Sequence, residues 1–211
     1  MGDYNRALEA YHRATRLNSA LTASLNAQIK ILVQVGQAQQ IKPLKAQLDY
    51  IQSLPKPLIA VIDLLAQGKL VKAEQICKLF LQKNPRNVEG MRLLSQIALK
   101  LGVLDDAEFL LESALEFSPN NSRIRIEYIQ VLRKRQNYAG ALHQAKVLLE
   151  MDKENPQFQS VFAIEAMQSG DFENALIVFD KILEKIPEDP VTLTSRGHLL
   201  KTCGEREKAI D

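Results

Sequence analysis

Glycine recurs in this sequence with a period close to 34 residues. The recurring glycines are Gly2, Gly36, Gly68, Gly102, Gly170 and Gly204. The interval is 34 residues except for one of 32 and one of 68, and Gln136 stands at the middle of the long one. Such a period is typical of a repeat array, in which each short unit buries its apolar face against its neighbours. The chain is therefore predicted to fold as stacked repeats rather than around one central core.

Each repeat is predicted to be a hairpin of two α-helices. Apolar residues recur at helical spacing on both sides of the glycine, as in Met91, Leu94 and Ala98 before Gly102. Five residues after each glycine position, six of seven repeats carry alanine, which lets two helix backbones approach closely. The residues at these seven positions are Ala7, Ile41, Ala73, Ala107, Ala141, Ala175 and Ala209. The pattern predicts an all-α, right-handed solenoid of antiparallel hairpins, with about twelve helices and no strand.

The helix boundaries follow from the turn-forming residues. Glycine ends each first helix, and Asp189 followed by Pro190 predicts an N-cap and a first-turn proline. On this basis the first helix is expected at residues 3–17 and the last complete one at residues 190–203. A further helix is expected to begin at residues 205–210.

One repeat departs from the pattern. Between Gly36 and Gly68 the spacing falls to 32, and three prolines, Pro43, Pro55 and Pro57, interrupt the apolar periodicity. Because a proline in a helix interior costs about 3 kcal/mol, a helix is predicted to begin near Pro43 and to end by residue 54. We expect an irregular joint at residues 37–57, which is either a hinge or a degenerate repeat.

The remaining composition does not point to an enzyme, a metal site or a membrane span. His12, His143 and His198 are scattered, and the chain has no glycine-rich phosphate loop and no nucleophile elbow. We therefore predict no catalytic residue, cofactor or metal. The two cysteines, Cys77 and Cys203, are predicted to be buried small apolar residues. The N-terminus lacks the apolar core of a signal peptide and no apolar run approaches 20 residues, which predicts a cytoplasmic location.

These residues resemble the tetratricopeptide repeat family. The segment from Gly170 to Ala175, with Phe179 and Pro187, is similar to the family pattern, and the segment from Gly2 to Ala7, with Tyr11 and Ala14, is nearly as similar. The tryptophan of the family is replaced in successive repeats by Leu25, Pro57, Met91, Arg125, Gln159 and Leu193. The resemblance covers the whole chain. It implies a superhelix whose concave face is lined by the first helices.

Both ends of the sequence cut the repeat pattern. Gly2 is the turn of a hairpin without its first helix, and Asp211 stops within a second helix. Residues 1–211 are therefore predicted to be a single array, truncated at both ends, of about five complete repeats plus partial ones. The segment 192–204 also resembles the last repeats before the catalytic domain of bacterial sulfotransferases that carry such arrays. This resemblance implies a substrate-recruiting arm as an alternative function.

Charge is uneven along the chain. Residues 103–117 carry a net charge of −5, and residues 121–135 carry +4. The resemblance implies that set positions of the first helices face the groove, and those positions are mainly basic or polar. The predicted peptide-binding residues are Lys30, Arg92, Gln96, Arg123, Gln130, Arg133, Lys134, His198 and Lys201.

A basic groove with few aromatics favours one class of partner. Arginine forms a planar fork that suits carboxylates, so an extended acidic peptide or partner protein is expected, without catalysis. The groove positions carry no aromatic residue for base stacking, which argues against nucleic acid. The alternative is that these charges form an ordinary solvated face.

Overall fold

The computed structural model describes residues 2–18 and 20–205. Within these ranges the chain forms α-helices and no β-strand. The helices are α1 (Gly2–Leu17), α2 (Thr22–Gln34), α3 (Ala38–Ser53), α4 (Lys56–Ala66), α5 (Leu70–Lys83), α6 (Val88–Leu101), α7 (Leu104–Phe117), α8 (Ser122–Lys134), α9 (Tyr138–Met151), α10 (Pro156–Gln168), α11 (Phe172–Lys185) and α12 (Pro190–Thr202). The predicted all-α class and the helix order are confirmed. The helix expected at residues 205–210, and Ala209 with it, lies largely outside the described residues.

The chain divides into two compact units, which we describe separately. Unit 1 is Met1–Val103 and contains α1 to α6, and unit 2 is Leu104–Asp211 and contains α7 to α12. In unit 2 every helix packs against the next one along the chain. In unit 1 the neighbouring pairs α1–α2, α2–α3, α4–α5 and α5–α6 pack in the same way. Both units are therefore built from helix hairpins.

The left-handed turn that closes each hairpin explains the glycine period. Gly36, Gly68, Gly102, Gly170 and Gly204 have φ between 71° and 87°, a region that favours glycine. Gln136 stands at the missing glycine position and adopts the same conformation, with φ of 60°. At each turn the next residue donates its N–H to a carbonyl five residues back, as Val103 does to Ala98 at 2.9 Å. The turn geometry is thus conserved along the array even where glycine is absent.

Polar N-caps start the first helices at the same period. Asn87, Asn121, Asn155 and Asp189 accept hydrogen bonds from backbone N–H groups at the starts of α6, α8, α10 and α12. The predicted cap at Asp189 is confirmed, and its carboxylate accepts from the Thr192 N–H at 2.8 Å. Hydrogen bonding with Thr192 lowers the pKa of Asp189 below its usual value. The N-cap positions of α2 and α4, two first helices of unit 1, are instead occupied by Leu21 and Pro55, which provide no side-chain cap.

The alanines predicted at the helix contacts are buried in the regular repeats. Ala73, Ala107, Ala141 and Ala175 have no exposed surface. A larger side chain at any of these positions would have to displace a neighbouring helix, because protein interiors are close-packed. Ala7 and Ile41, in the first two repeats, are only half-buried.

The irregular joint has a simple geometric origin. The other links between repeats that the structure describes in full contain four residues, but only Leu54 and Pro55 separate α3 from α4. These two missing residues correspond to the glycine interval of 32 rather than 34. Helix α3 begins at Ala38, so the predicted start near Pro43 is wrong, and Pro43 lies inside the helix. The packing of Leu44, Leu48 and Ile51 around one apolar cluster helps to stabilise the helix across its proline.

Two polar residues replace the expected tryptophan in unit 2, and both are buried. Arg125 donates from its guanidinium to the Pro119 carbonyl at 2.6 Å, and Gln159 donates from its amide to the Lys153 carbonyl at 2.6 Å. Donor and acceptor are six residues apart in both repeats. Each side chain therefore satisfies a carbonyl in the link that precedes its own helix, although the Arg125 Nε is buried without a hydrogen-bond partner among the described residues.

We predict that Gln136→Gly stabilises the chain. Glycine carries no steric penalty at positive φ, so removal of the side chain should raise the free energy of unfolding by about 0.5–1 kcal/mol. Urea denaturation followed by circular dichroism measures this change. Gln130→Gly, in the interior of α8, is the control and should destabilise by about 1 kcal/mol. Equal destabilisation by both substitutions would contradict the role of the left-handed turn.

We also predict that Ala141→Leu and Ala175→Leu each lower the free energy of unfolding by about 1–3 kcal/mol, because both alanines are fully buried. Ala139→Leu, at an exposed position of α9, is the matched control and should change stability little. The same thermal unfolding temperature for all three variants would show that these alanines are not the close contacts of the hairpins.

Candidate functional site

The predicted groove residues of unit 1 differ in exposure. Lys30 on α2 is exposed, Gln96 on α6 is half-buried, and Arg92 on α6 is only 2% exposed. Arg92 therefore lacks the exposed charge that the sequence pattern assigned to it. The grouping of Arg92 with residues of unit 2 spans the two units and stays a prediction.

Arg92 belongs to an internal polar cluster. Its Nε donates to both carboxylate oxygens of Glu89 at 2.9 Å, and the Tyr50 hydroxyl of α3 donates to the same carboxylate. A buried guanidinium is stable only when it is paired and hydrogen-bonded, and Glu89 and Tyr50 supply those contacts. The spacing of Glu89 and Arg92 on one helix turn was visible in the sequence. The contribution of Tyr50, from a distant helix, was not.

In unit 2, five of the predicted residues are exposed on the first helices. Gln130 and Lys134 lie on α8, and His198 and Lys201 lie on α12. Arg123, also exposed on α8, has its Nε 3.7 Å from the Glu127 carboxylate one turn along the helix. Helix α10 is the first helix of the repeat that lies between those of α8 and α12 in the chain. Its residues Ile164 and Met167 are half-buried. The exposed polar residues of α8 and α12 and the apolar residues of α10 form the candidate site.

Arg133, the remaining predicted residue, contacts an acid that the sequence analysis did not identify. Its guanidinium donates to the Glu165 carboxylate of α10, and this ion pair links two successive first helices. The Arg133 side chain is 39% exposed, whereas Glu165 has no exposed surface. The available signal was a lone acidic residue within the otherwise apolar segment from Val161 to Met167. Such a residue on a first helix must either face a groove or find an internal cation.

Burial dominates the electrostatics of Glu165. Desolvation raises the pKa of this carboxyl above its usual value of 4.5, although the Arg133 guanidinium acts in the opposite direction. Only one carboxylate oxygen of Glu165 bonds to Arg133, and the other, Oε2, is buried without a hydrogen-bond partner among the described residues. Glu165 thus depends on a single half-exposed cation.

The acidic and basic runs of the sequence partly neutralise each other. Arg135, at the end of α8, lies 2.6 Å from Asp105 and 2.6 Å from Glu108 of α7. These contacts join two adjacent helices of unit 2. Part of the charge asymmetry that the sequence suggested is therefore neutralised by ion pairs within unit 2.

The cysteines have different surroundings. Cys77 is buried and donates to the Gly90 carbonyl at 3.3 Å, and burial, followed by the Glu89 charge, raises the pKa of this thiol to about 12. The thiolate needed for nucleophilic chemistry is therefore unavailable at Cys77. Cys203 is exposed, so its predicted burial is wrong. It lies at the C-cap of α12, outside the packed face of that helix.

The described part of the chain offers no metal-binding cluster and no helix that could cross a membrane. Residues 2–18 and 20–205 contain no group of three or more His, Cys, Asp or Glu side chains that could hold a metal ion. Within the same residues, none of the helices combines the length and the apolar character that a bilayer span requires.

The repeat sequence matches a known family of helix-hairpin repeats. The sequence profile described as the cytochrome c-type biogenesis protein H TPR domain matches residues 78–192, which is more than half of the 211 residues. The chain belongs to this tetratricopeptide repeat (TPR) family. Membership supports a protein-interaction scaffold as its general role. The sulfotransferase alternative receives no support from this match and stays a prediction.

Solved TPR structures share the fold. A TPR protein from Parabacteroides merdae ATCC 43184 matches with a TM-score of 0.64 and 17% identity, covering 100% of this chain and 77% of that one. MamA from Desulfovibrio magneticus RS-1 matches with a TM-score of 0.66 and 15% identity, and the match covers 73% of this chain and 87% of the MamA chain. MamA AMB-1 matches with a TM-score of 0.63 and 18% identity, and the match covers 74% of this chain and 92% of the MamA chain. No curated protein matches the sequence.

We predict that Arg133→Ala destabilises this TPR chain by about 2 kcal/mol, because it leaves the Glu165 carboxylate buried without a cation. In a Glu165→Gln background no buried charge is left unpaired. There the same substitution should lower the free energy of unfolding by less than about 1 kcal/mol, which is the contribution of an ordinary hydrogen bond. Lys134→Ala, at the next residue of α8, serves as the exposed control. The free energy of unfolding of each variant is measured by urea denaturation. Equal costs for Arg133→Ala and Lys134→Ala would contradict a stabilising role for the ion pair.

Proposed function

We propose that this TPR chain is a non-catalytic interaction scaffold that binds an extended acidic peptide or protein segment along the first helices of unit 2. The observation that carries the proposal is the exposure of Lys134 on α8 and of Lys201 on α12, with polar Gln130 and His198 one turn earlier on the same helices. This arrangement supports contacts to a peptide backbone and to its carboxylates.

The apolar residues of α10 support a mixed interface. Ile164 and Met167 are half-buried, so a ligand that covers them would remove more of their surface from water. Burial of apolar surface contributes about 25 cal/mol per Å², which adds affinity that charge alone does not give. Apolar residues interspersed in an acidic segment would therefore add to the affinity that its carboxylates provide.

The exposed lysines are the appropriate residues for a test. Arg92 is buried with Glu89, and Arg133 is paired with Glu165, so reversal of either charge would disturb the fold. Lys134 and Lys201 are exposed, and reversal of their charge leaves the Arg133 pair in place. Because exposed contacts are screened by salt, binding through these lysines should weaken as ionic strength rises.

We predict that the double variant Lys134→Glu/Lys201→Glu weakens binding of a rhodamine-labelled deca-aspartate peptide roughly tenfold. Each exposed contact contributes about 0.2–1 kcal/mol, and reversal also adds repulsion. Fluorescence anisotropy measures the dissociation constant, and circular dichroism verifies the helical content.

A matched control separates the site from net charge. Lys72→Glu/Lys146→Glu makes the same change in charge at exposed positions of the second helices α5 and α9. This control should retain binding close to wild type. If both double variants weaken binding equally, the lysines of α8 and α12 are an ordinary solvated face and the proposed site is wrong.

A further inference from the structure

We propose that Glu165 is an internal competitor for the ligand: it holds Arg133 in the unliganded chain, and an acidic ligand that takes Arg133 leaves Glu165 to bind a proton. Binding of an acidic segment would then consume protons and strengthen as the pH falls. This inference rests on the proposed function and adds a regulation to the same site.

The geometry places Arg133 between two carboxylates, one internal and one supplied by the ligand. Glu165 lies on the buried side of the ion pair, with no exposed surface, whereas 39% of the Arg133 side chain faces solvent. The exposed residues Gln130 and Lys134 lie on the same helix within one turn of Arg133. A ligand carboxylate that approaches these residues therefore meets a guanidinium already engaged by Glu165.

Release of Arg133 would leave Glu165 in an environment that does not support its charge. Its Oε2 already lacks a partner among the described residues, and transfer of Arg133 to a ligand would remove the contact to Oε1 as well. An isolated carboxylate in a buried site becomes neutral rather than remaining charged, since desolvation favours the protonated form. The proton comes from solvent, Glu165 becomes a neutral carboxylic acid, and Arg133 keeps its positive charge throughout.

Arg133 is the charged group that acts on Glu165. Helix α10 packs against α9, α11 and α12 as well as receiving Arg133 from α8. The influences on the pKa of Glu165 are desolvation, which raises it, and the hydrogen bond and charge of Arg133, which lower it. Among the described residues, Glu165 forms its ion pair with Arg133, and its second carboxylate oxygen has no hydrogen-bond partner. Loss of Arg133 therefore raises the pKa of Glu165 further, which gives proton uptake on binding.

Calorimetry on the unaltered chain tests the proton uptake directly. The deca-aspartate peptide is titrated into the 211-residue chain at pH 7 in buffers of different ionisation enthalpy. We expect a net uptake of up to about one proton per bound peptide, and the dissociation constant should fall about threefold or more between pH 8 and pH 6. Binding without proton uptake, at an unchanged dissociation constant, would overturn the inference.

The variant Glu165→Gln identifies the residue responsible. A glutamine of nearly the same shape keeps an acceptor for Arg133 but cannot change its charge. In this comparison the reference chain, the Glu165→Gln variant and the control all carry His198→Gln, so that the histidine of the proposed site cannot take up protons. We expect Glu165→Gln to bind deca-aspartate about threefold or more tightly than the reference chain at pH 8, with proton uptake lost. Glu150→Gln, an exposed acid on α9, controls for the change in net charge.

The outcomes separate this inference from the proposed function. Peptide binding with the same pH dependence in Glu165→Gln and Glu150→Gln overturns the role of Glu165 and leaves the scaffold proposal standing. Failure of deca-aspartate to bind at any pH between 6 and 8 contradicts the acidic-ligand proposal and the competitor role together. Tighter, pH-independent binding by Glu165→Gln alone supports both.

Discussion

The structure depends on one backbone constraint, the left-handed residue that reverses the chain between the two helices of a hairpin. An L-residue pays roughly 1–2 kcal/mol in this conformation, and glycine avoids that cost. The reversal brings the second helix back onto the first, and the alanine five residues later permits close contact. Gln136 shows that the turn can form without glycine, because it keeps a positive φ and the Asn137 N–H still bonds to the Leu132 carbonyl.

The parts of the fold that depend on local backbone requirements were predictable. Left-handed turns favour glycine, helix starts favour a polar cap, and helix contacts favour a small residue, so these preferences recur at the repeat period in most of the repeats. The exception is α3, where Pro43 suggested a helix start but lies inside the helix. Its placement is decided by tertiary contacts of Leu44, Leu48 and Ile51, which a local rule about proline does not include.

The candidate site was less predictable, because the availability of a charge depends on neighbours from distant helices. Arg92, Arg133 and Lys134 all stand at predicted groove positions, but Arg92 is buried and Arg133 half-buried, whereas Lys134 is exposed. The difference is made by Tyr50, 42 residues from Arg92, and by Glu165, 32 residues from Arg133. Periodicity identifies positions that can face a groove. It does not identify which of those side chains the fold already uses.

Arg133 places folding and binding in direct opposition. A cation that only neutralised Glu165 would be most stable if fully buried, and one that only bound ligands would need no internal partner. Arg133 has a buried partner and a half-exposed side chain, so a carboxylate bound at the proposed site would compete with Glu165. The free energy of that exchange is the difference between two ion pairs, in which the internal pair carries a desolvation cost that the exposed pair avoids. Because protonation removes this cost, the balance depends on pH.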